Sequence, residues 1–174
     1  MAFNLQPTLK GDLLELRPLQ VTDFNDLFTV AADPLIWEQH PVKNRYEKNV
    51  FEKFFHNAIN SGGALVVIDS KNNNIIGSSR YNGYKLDKNE IEIGWTFLAR
   101  SYWGGIYNKE MKRLMLKHAF KFVNSVIFVV GVQNIRSQHA VLKIGGKRVS
   151  TGTDDGGNES FIYQILKSDY ANKK

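Results

Sequence analysis

An apolar strand that runs through a short loop into two glycines and then a helix is suited to hold a phosphate. Glu92-Ile93-Gly94-Trp95-Thr96-Phe97-Leu98-Ala99-Arg100-Ser101-Tyr102-Trp103-Gly104-Gly105-Ile106-Tyr107-Asn108 has that order. The first N–H groups of a helix lack partners within it, the helix dipole is positive there, and glycine lets a ligand approach the backbone closely. The strand also carries a carboxylate, Glu92, which alternation places on the same face as Glu90 and Gly94. A second polar group, Asn134-Ile135-Arg136-Ser137, follows the next apolar strand. A third, Trp37, Glu38, Gln39, His40 and Arg45, gathers in a stretch without periodicity, and these residue types recognise ligands.

Other chemistries find little support. The chain has no cysteine, which removes a thiol nucleophile and a disulfide framework and is compatible with a reducing compartment. His40, His56, His118 and His139 are dispersed, without metal-ligand spacing to a carboxylate, so no metal site is expected. The net charge of +6 is spread along 174 residues, and the tail Asn172-Lys173-Lys174 is too short to form a basic arm, so no nucleic-acid partner is expected. No apolar run approaches the ~20 residues of a membrane span, and Met1-Ala2-Phe3-Asn4 does not open a signal peptide. A soluble, cytoplasmic protein without membrane association is the expectation.

The elements that must position these groups can be followed along the chain. Leu13 to Leu19 reads as a strand, and Thr22 is placed to cap a helix that stops before Pro34. Leu35 to Tyr46 is irregular. Val50, Phe51, Phe54, Phe55 and Ile59 give a helix from about Lys48 to Asn60. Ala64 to Ile68 and Ile75 to Tyr84 form a hairpin through Asp69-Ser70-Lys71-Asn72-Asn73-Asn74, and Glu90 to Leu98 extends it. A helix from about Tyr107 to Asn124 leads to the continuous apolar strand Val126 to Val132, completing a βαβ unit. A short helix, Ser137 to Ile144, precedes a last hairpin of Lys147 to Thr153 and Glu159 to Lys167.

Taken in order, Leu14-Glu15-Leu16-Arg17-Pro18-Leu19, Asp23, Asp33-Pro34, Glu92-Ile93-Gly94-Trp95, Tyr102-Trp103-Gly104-Gly105 and Asn134 to Gly145 resemble the GNAT N-acetyltransferases, in the branch similar to RimJ and RimL. The resemblance covers nearly the whole chain. It implies a single domain over residues 1–174, of α/β (α+β) class. Its mixed, mostly antiparallel sheet would have about seven strands, splayed between strands four and five and flanked by about four helices. It further implies acetyl-CoA as cosubstrate, no metal, and direct attack by a primary amine in a ternary complex. The amine belongs to a small molecule or a protein N-terminus, and a homodimer is left open.

The same resemblance assigns residues. Backbone groups of Thr96, Phe97 and Leu98, exposed by the splay, would meet the pantetheine arm, and one N–H there would serve the carbonyl oxygen. Arg100, Trp103, Gly104, Gly105, Ile106, Tyr107 and Asn108 would form the pyrophosphate loop and helix start. Asn134 would contact the cofactor unless it is an ordinary turn residue. An aliphatic amine has a pKa near ~10 and needs a base, for which Glu92 matches; the alternative is a solvated strand carboxylate. Ser137 would serve the departing sulfur, or act as a helix cap, or both. Trp37, Glu38, His40 and Arg80 would border the acceptor pocket, with Glu38 and Glu90 as an acidic rim. Glu110 is expected to be structural.

Departures from the family pattern support a rival reading. Ile106 occupies the third small position of the loop, where its side chain would crowd phosphates, Arg100 stands one place early, and Ser137 to Ile144 contains no Tyr. A non-catalytic coenzyme A binding module with the same fold is therefore the alternative function.

Overall fold

The computed structural model describes residues 2–171, so Met1 and the tail Asn172-Lys173-Lys174 lie outside the described residues. Among these, eight strands make one sheet in the order β1-β2-β3-β4-β5-β6-β8-β7. They are β1 Leu9–Lys10, β2 Leu14–Pro18, β3 Ala64–Asp69, β4 Ile75–Lys85, β5 Glu90–Leu98, β6 Ser125–Gly131, β7 Lys147–Thr153 and β8 Glu159–Leu166. The helices are α1 Phe24–Ala31, α2 Lys48–Asn60, α3 Ile106–Ala119, α4 Ile135–Lys143 and α5 Lys167–Ala171. This is the expected mixed, mostly antiparallel architecture. The additions, β1 and α5, are too short to give a periodic signal.

Two apolar layers cover the sheet. On one face, Met111, Leu114 and Met115 of α3 pack on Leu14, Leu16, Leu65, Ile91 and Ile93. On the other, Phe51, Phe54, Phe55 and Ala58 recur along α2 at helical spacing and pack with Leu27 of α1, Trp37 and Phe97. The strand residues alternate accordingly: Ile91 and Ile93 face α3, while Glu90, Glu92 and Gly94 face the α1–α2 side.

Two irregularities in β5 shape the centre of the molecule. The parallel pairing with β6 consists of Glu90↔Ser125, Ile91↔Val126 and Glu92↔Ile127, after which the strands separate although both continue. This is the splay expected between strands four and five, numbered one higher here because of β1. On its other edge β5 shifts register between Ser78↔Phe97 and Arg80↔Gly94, with one residue more than β4 across the gap. Trp95 there has φ of 51°, an uncommon conformation for a bulky residue and the signature of a bulge.

Several local expectations are corrected. Thr22 does not cap a helix: Val21–Asp23 is a 3-10 turn in which the Asp23 carboxylate accepts the Gln20 N–H at 2.8 Å and pairs with Arg17. α3 ends at Ala119, with Phe120 to Val123 folded into a turn that still buries Val123. α4 begins at Ile135, and its cap is Asn134, whose Oδ1 accepts the Ser137 N–H at 3.2 Å. Glu110 is structural through a route other than the helix dipole, because its carboxylate accepts the N–H groups of Asp12 and Leu13 and so fastens the β1–β2 turn to α3.

Candidate active site

Beyond Glu92 the β6-facing edge of β5 has no strand partner, which leaves backbone groups of Thr96 and Leu98 on an opened edge; Phe97, expected there as well, lies opposite Ser78 and turns its backbone groups to β4. One of them is already used: the Trp103 indole N–H donates to the Leu98 carbonyl at 2.9 Å and folds the following loop back on the strand. The loop is fixed further by Tyr102, whose hydroxyl donates to Asp69 at 2.9 Å and whose ring meets Tyr107 edge-on. Arg100 is paired with Asp33 at the end of the α1 segment.

The start of α3 is shaped for an anion. Gly104 has φ of 70°, a conformation that a Cβ would strain, and Gly105 caps the helix without any side-chain bond to its first N–H groups. Ile106, the first residue of the helix, is 61% exposed. Asn108 is half-buried one turn on. Arg136, from the first turn of α4, lies over the Trp103 ring at 4.0 Å, so the two helix starts meet at this loop. An open strand edge, an uncapped helix start and a nearby guanidinium fit a pantetheine arm with its pyrophosphate.

Asn134 is occupied as the cap of α4, and Ser137 is thereby relieved of that role. Its hydroxyl, half-buried inside the first turn, makes no hydrogen bond among the described residues. Gln138 meanwhile closes the end of β6 by donating to the carbonyls of Gly131 and Val132.

Glu92 lies on the face opposite α3. Its Oε1 is 3.0 Å from where a Cβ on Gly94 would stand, so the carboxylate leans along β5 over the one residue that leaves it room. Burial pushes its carboxyl up from 4.5 to about 7; the Asp155 carboxylate adds to this, while Lys85 and Arg80 oppose it. A carboxyl that titrates near neutrality can take a proton and release it again.

The neighbours of Glu92 are cationic and aromatic. Arg80 is cross-strand from Gly94, and its guanidinium lies over Trp95 at 4.5 Å and over Phe54 of α2 at 5.9 Å. Arg45 approaches the same Phe54 ring at 4.5 Å and Trp37 at 5.0 Å. Trp37 is itself core, with its indole N–H donating to the Ala31 carbonyl. His40 contacts Arg45, and burial together with that positive charge holds its imidazole down to about 3, so it stays neutral.

The structure therefore brings Trp37, His40, Arg80 and Glu92 to one side of the sheet, next to the opened edge of β5. It does not bring Glu38 or Glu90 with them. Glu38 is exposed on the wall of a cavity of about 520 Å³ that also includes His40, Pro41 and Gly131. Glu90 sits at the closed end of the β5–β6 pair, where it accepts from Ser125 at 3.0 Å.

Three functional features escape the sequence reading. Arg45, noted only as one of several ligand-recognising residues, turns out to be a second buried guanidinium beside Arg80. Asp155, between the two strands of the last hairpin, brings its charge to Glu92 and Arg80. Lys112 is buried on the α3 side, donating to Thr96 and Ser79 beside the bulge and lying 5.7 Å from the Phe128 ring of β6. No carboxylate pairs with it, and burial lowers its ammonium to about 7. Among the described residues, no cluster of three or more His, Cys, Asp or Glu could hold a metal, and no helix is long and apolar enough to cross a membrane.

A family model described as an acetyltransferase (GNAT) domain matches residues 14–147. The fold is similar to a GCN5-related N-acetyltransferase from Brucella melitensis, with TM-score 0.80 and 16% identity over 95% of this chain and 81% of that one. It is similar to Mycobacterium smegmatis RimJ in complex with CoA-disulfide, with TM-score 0.73 and 16% identity over 97% and 91% of the two chains. A spermidine N-acetyltransferase SpeG chimera from Vibrio cholerae and hSSAT gives TM-score 0.70 and 19% identity over 93% and 100%. At these identities the likeness is one of fold. No curated protein matches the sequence.

Proposed function

The chain belongs to the GNAT acetyltransferase family, and from that premise we propose that residues 1–174 act as a single domain, a cytoplasmic acetyl-CoA-dependent N-acetyltransferase that modifies a primary amine by direct attack in a ternary complex. The observation that carries this reading is Glu92: a carboxyl near pKa 7, leaning over Gly94 beside the opened edge of β5 and on the face away from α3. When bound, acetyl-CoA supplies the thioester carbonyl carbon that the amine attacks. Glu92 accepts the proton of the incoming ammonium, directly or through water. An N–H on the opened edge, at Thr96 or Leu98, donates to the carbonyl oxygen. The N-terminus of α3, with Gly104 and Gly105, holds the pyrophosphate, and the unbonded hydroxyl of Ser137 serves the departing sulfur.

The RimJ/RimL-like branch is favoured by the opening stretch Leu14 to Leu19 and by the fold shared with RimJ. The rival reading of a non-catalytic binding module keeps its supports, Ile106 at the helix start and the missing Tyr between Ser137 and Ile144. Thermal unfolding with millimolar acetyl-CoA, followed by an acetylation screen of amines and peptides read as coenzyme A release, tests both. Binding to the native state alone adds ~2.7 kcal/mol at a hundredfold excess over Kd. A shift without any release would favour the binding module, and the absence of both would sink the cofactor assignment.

A further inference from the structure

Arg45 and Arg80 are 9% and 6% exposed, and neither makes a salt bridge among the described residues. Arg45 Nε and Arg80 Nε and Nη2 have no hydrogen-bond partner among the described residues. Buried charged donors are ordinarily satisfied, so three in one cluster are an anomaly.

The deficit at Arg45 goes further. Its Nη1 is 3.2 Å from Nε2 of His40, but Nδ1 of that ring already accepts the Val42 N–H at 2.9 Å. A neutral imidazole with an accepting Nδ1 carries its proton on Nε2. Donor then faces donor, and His40 offers Arg45 no lone pair. Two guanidiniums share the Phe54 ring, and the positive charge of Arg80 disfavours that of Arg45. The carboxylates of Glu92 and Asp155 bring opposite charge to Arg80 without bonding to it. What the cluster lacks is an acceptor of several hydrogen bonds bearing negative charge. Arg45 lies behind His40, which lines the cavity of about 520 Å³ together with Lys43 and the carboxylates of Glu38 and Glu159.

We propose that Arg45 and Arg80 seat an oxyanion of the acceptor, so that the amine acetylated at Glu92 carries a carboxylate or a phosphate a few bonds from its nitrogen. The inference rests on the acetyl-transfer reading of Glu92 and narrows the acceptor class. Arg80 and Glu92 share one face of the β4–β5 pair, at diagonal positions that long side chains bridge. A compact amino acid spans such a gap with its two ends oppositely recognised. An extended polyamine would bring cation to cation. Of the expected acidic rim, Glu90 is held away by Ser125, while Glu38 stands on the wall of the cavity that His40 lines.

The test compares acceptors that differ only in the oxyanion: each L-amino acid against its amide, and phosphoethanolamine against ethanolamine, with coenzyme A release as the readout. Charge-assisted, multidentate contacts predict kcat/KM about 10- to 100-fold higher for the anionic member of the productive pair. The amino acid and phosphate arms tell the two oxyanions apart. Arg80→Gln and Arg45→Gln should each erase that preference, read as the ratio of kcat/KM for the two members of the pair within each variant. Equal or better turnover of the neutral members would overturn the proposal and leave acetyl transfer intact. If no acceptor is turned over, the acetyl-transfer reading fails, and thermal unfolding with the same anionic probes at constant ionic strength decides the seat by itself. Stabilisation of the wild type that is lost in Arg80→Gln upholds it, and no stabilisation by either oxyanion overturns it.

Discussion

Glu92→Gln should make the protein slower and more stable at once. The amide keeps the shape over Gly94 but cannot take a proton, and a positioned general base contributes ~10²–10⁴ in rate. Wild-type activity should fall as pH drops below about 7, where Glu92 takes up its proton, and this inflection should vanish in the variant. The stability sign follows from the same shift. The folded pKa of about 7 lies above the ordinary 4.5, so the native state binds a proton more tightly than the unfolded chain. That contribution is complete below pH 4.5 and is lost as pH rises through 7. At ~1.4 kcal/mol per pH unit, the interval amounts to ~3 kcal/mol, an upper figure for a half-buried group. Urea unfolding from pH 4 to 8 should therefore show wild type losing stability relative to Glu92→Gln by up to that amount. Rates at fixed saturating acetyl-CoA over the same range complete the measurement. Near-equal rates with parallel stability curves would mean that Glu92 is a solvated strand residue and that the base lies elsewhere.

Two further outcomes separate role from scaffold. Ser137→Ala should reduce turnover without measurable loss of stability, whereas Asn134→Ala, which removes the actual cap of α4, should cost ~1 kcal/mol in denaturant unfolding; the reverse pattern would return Ser137 to a structural role. Lys112 titrates near 7 in the fold and at 10.5 ordinarily, so the unfolded chain holds more protons between those values and stability should climb with pH across that window. Lys112→Met should flatten the climb, and an unchanged slope would mean that the ammonium is not desolvated as described.

The order of elements was legible because hydrophobic period and turn chemistry agree along the chain: α2 and β5 have the bounds that Phe51, Phe54, Phe55 and the Glu90-to-Leu98 alternation imply. What escaped depends on tertiary placement. Arg45 and Arg80 are far apart in sequence, in a loop and a strand, and only the fold brings both to Phe54. Whether His40 can accept from Arg45 depends on the tautomer that Val42 imposes on its ring, which no residue pattern encodes. Lys112 follows Met111 on a helix that is buried beyond its main apolar stripe, and by type alone a lysine reads as surface. The bulge at Trp95 left only a faint trace, the failure of alternation after Gly94. Ser137 shows the limit of local rules, since its type suits a cap, yet the helix starts at Ile135 with Asn134 as its cap.

The short pairing between β5 and β6 bears on how the molecule comes apart. Three residue pairs join the layer from β1 to β5 with the layer from β6 to β8, and beyond them the sheet is a seam crossed by α3 and by side chains. Apart from the two-pair β1–β2 ladder at the edge, this is the shortest backbone ladder that force or heat applied to the free protein meets, and it lies in the middle of the sheet. A ligand spanning the seam would act as a missing rung. Amide exchange along Thr96 to Leu98 and the adjoining end of β6 would then report the degree of saturation of the cleft, and would distinguish a ligand lying in the seam from one resting on the surface.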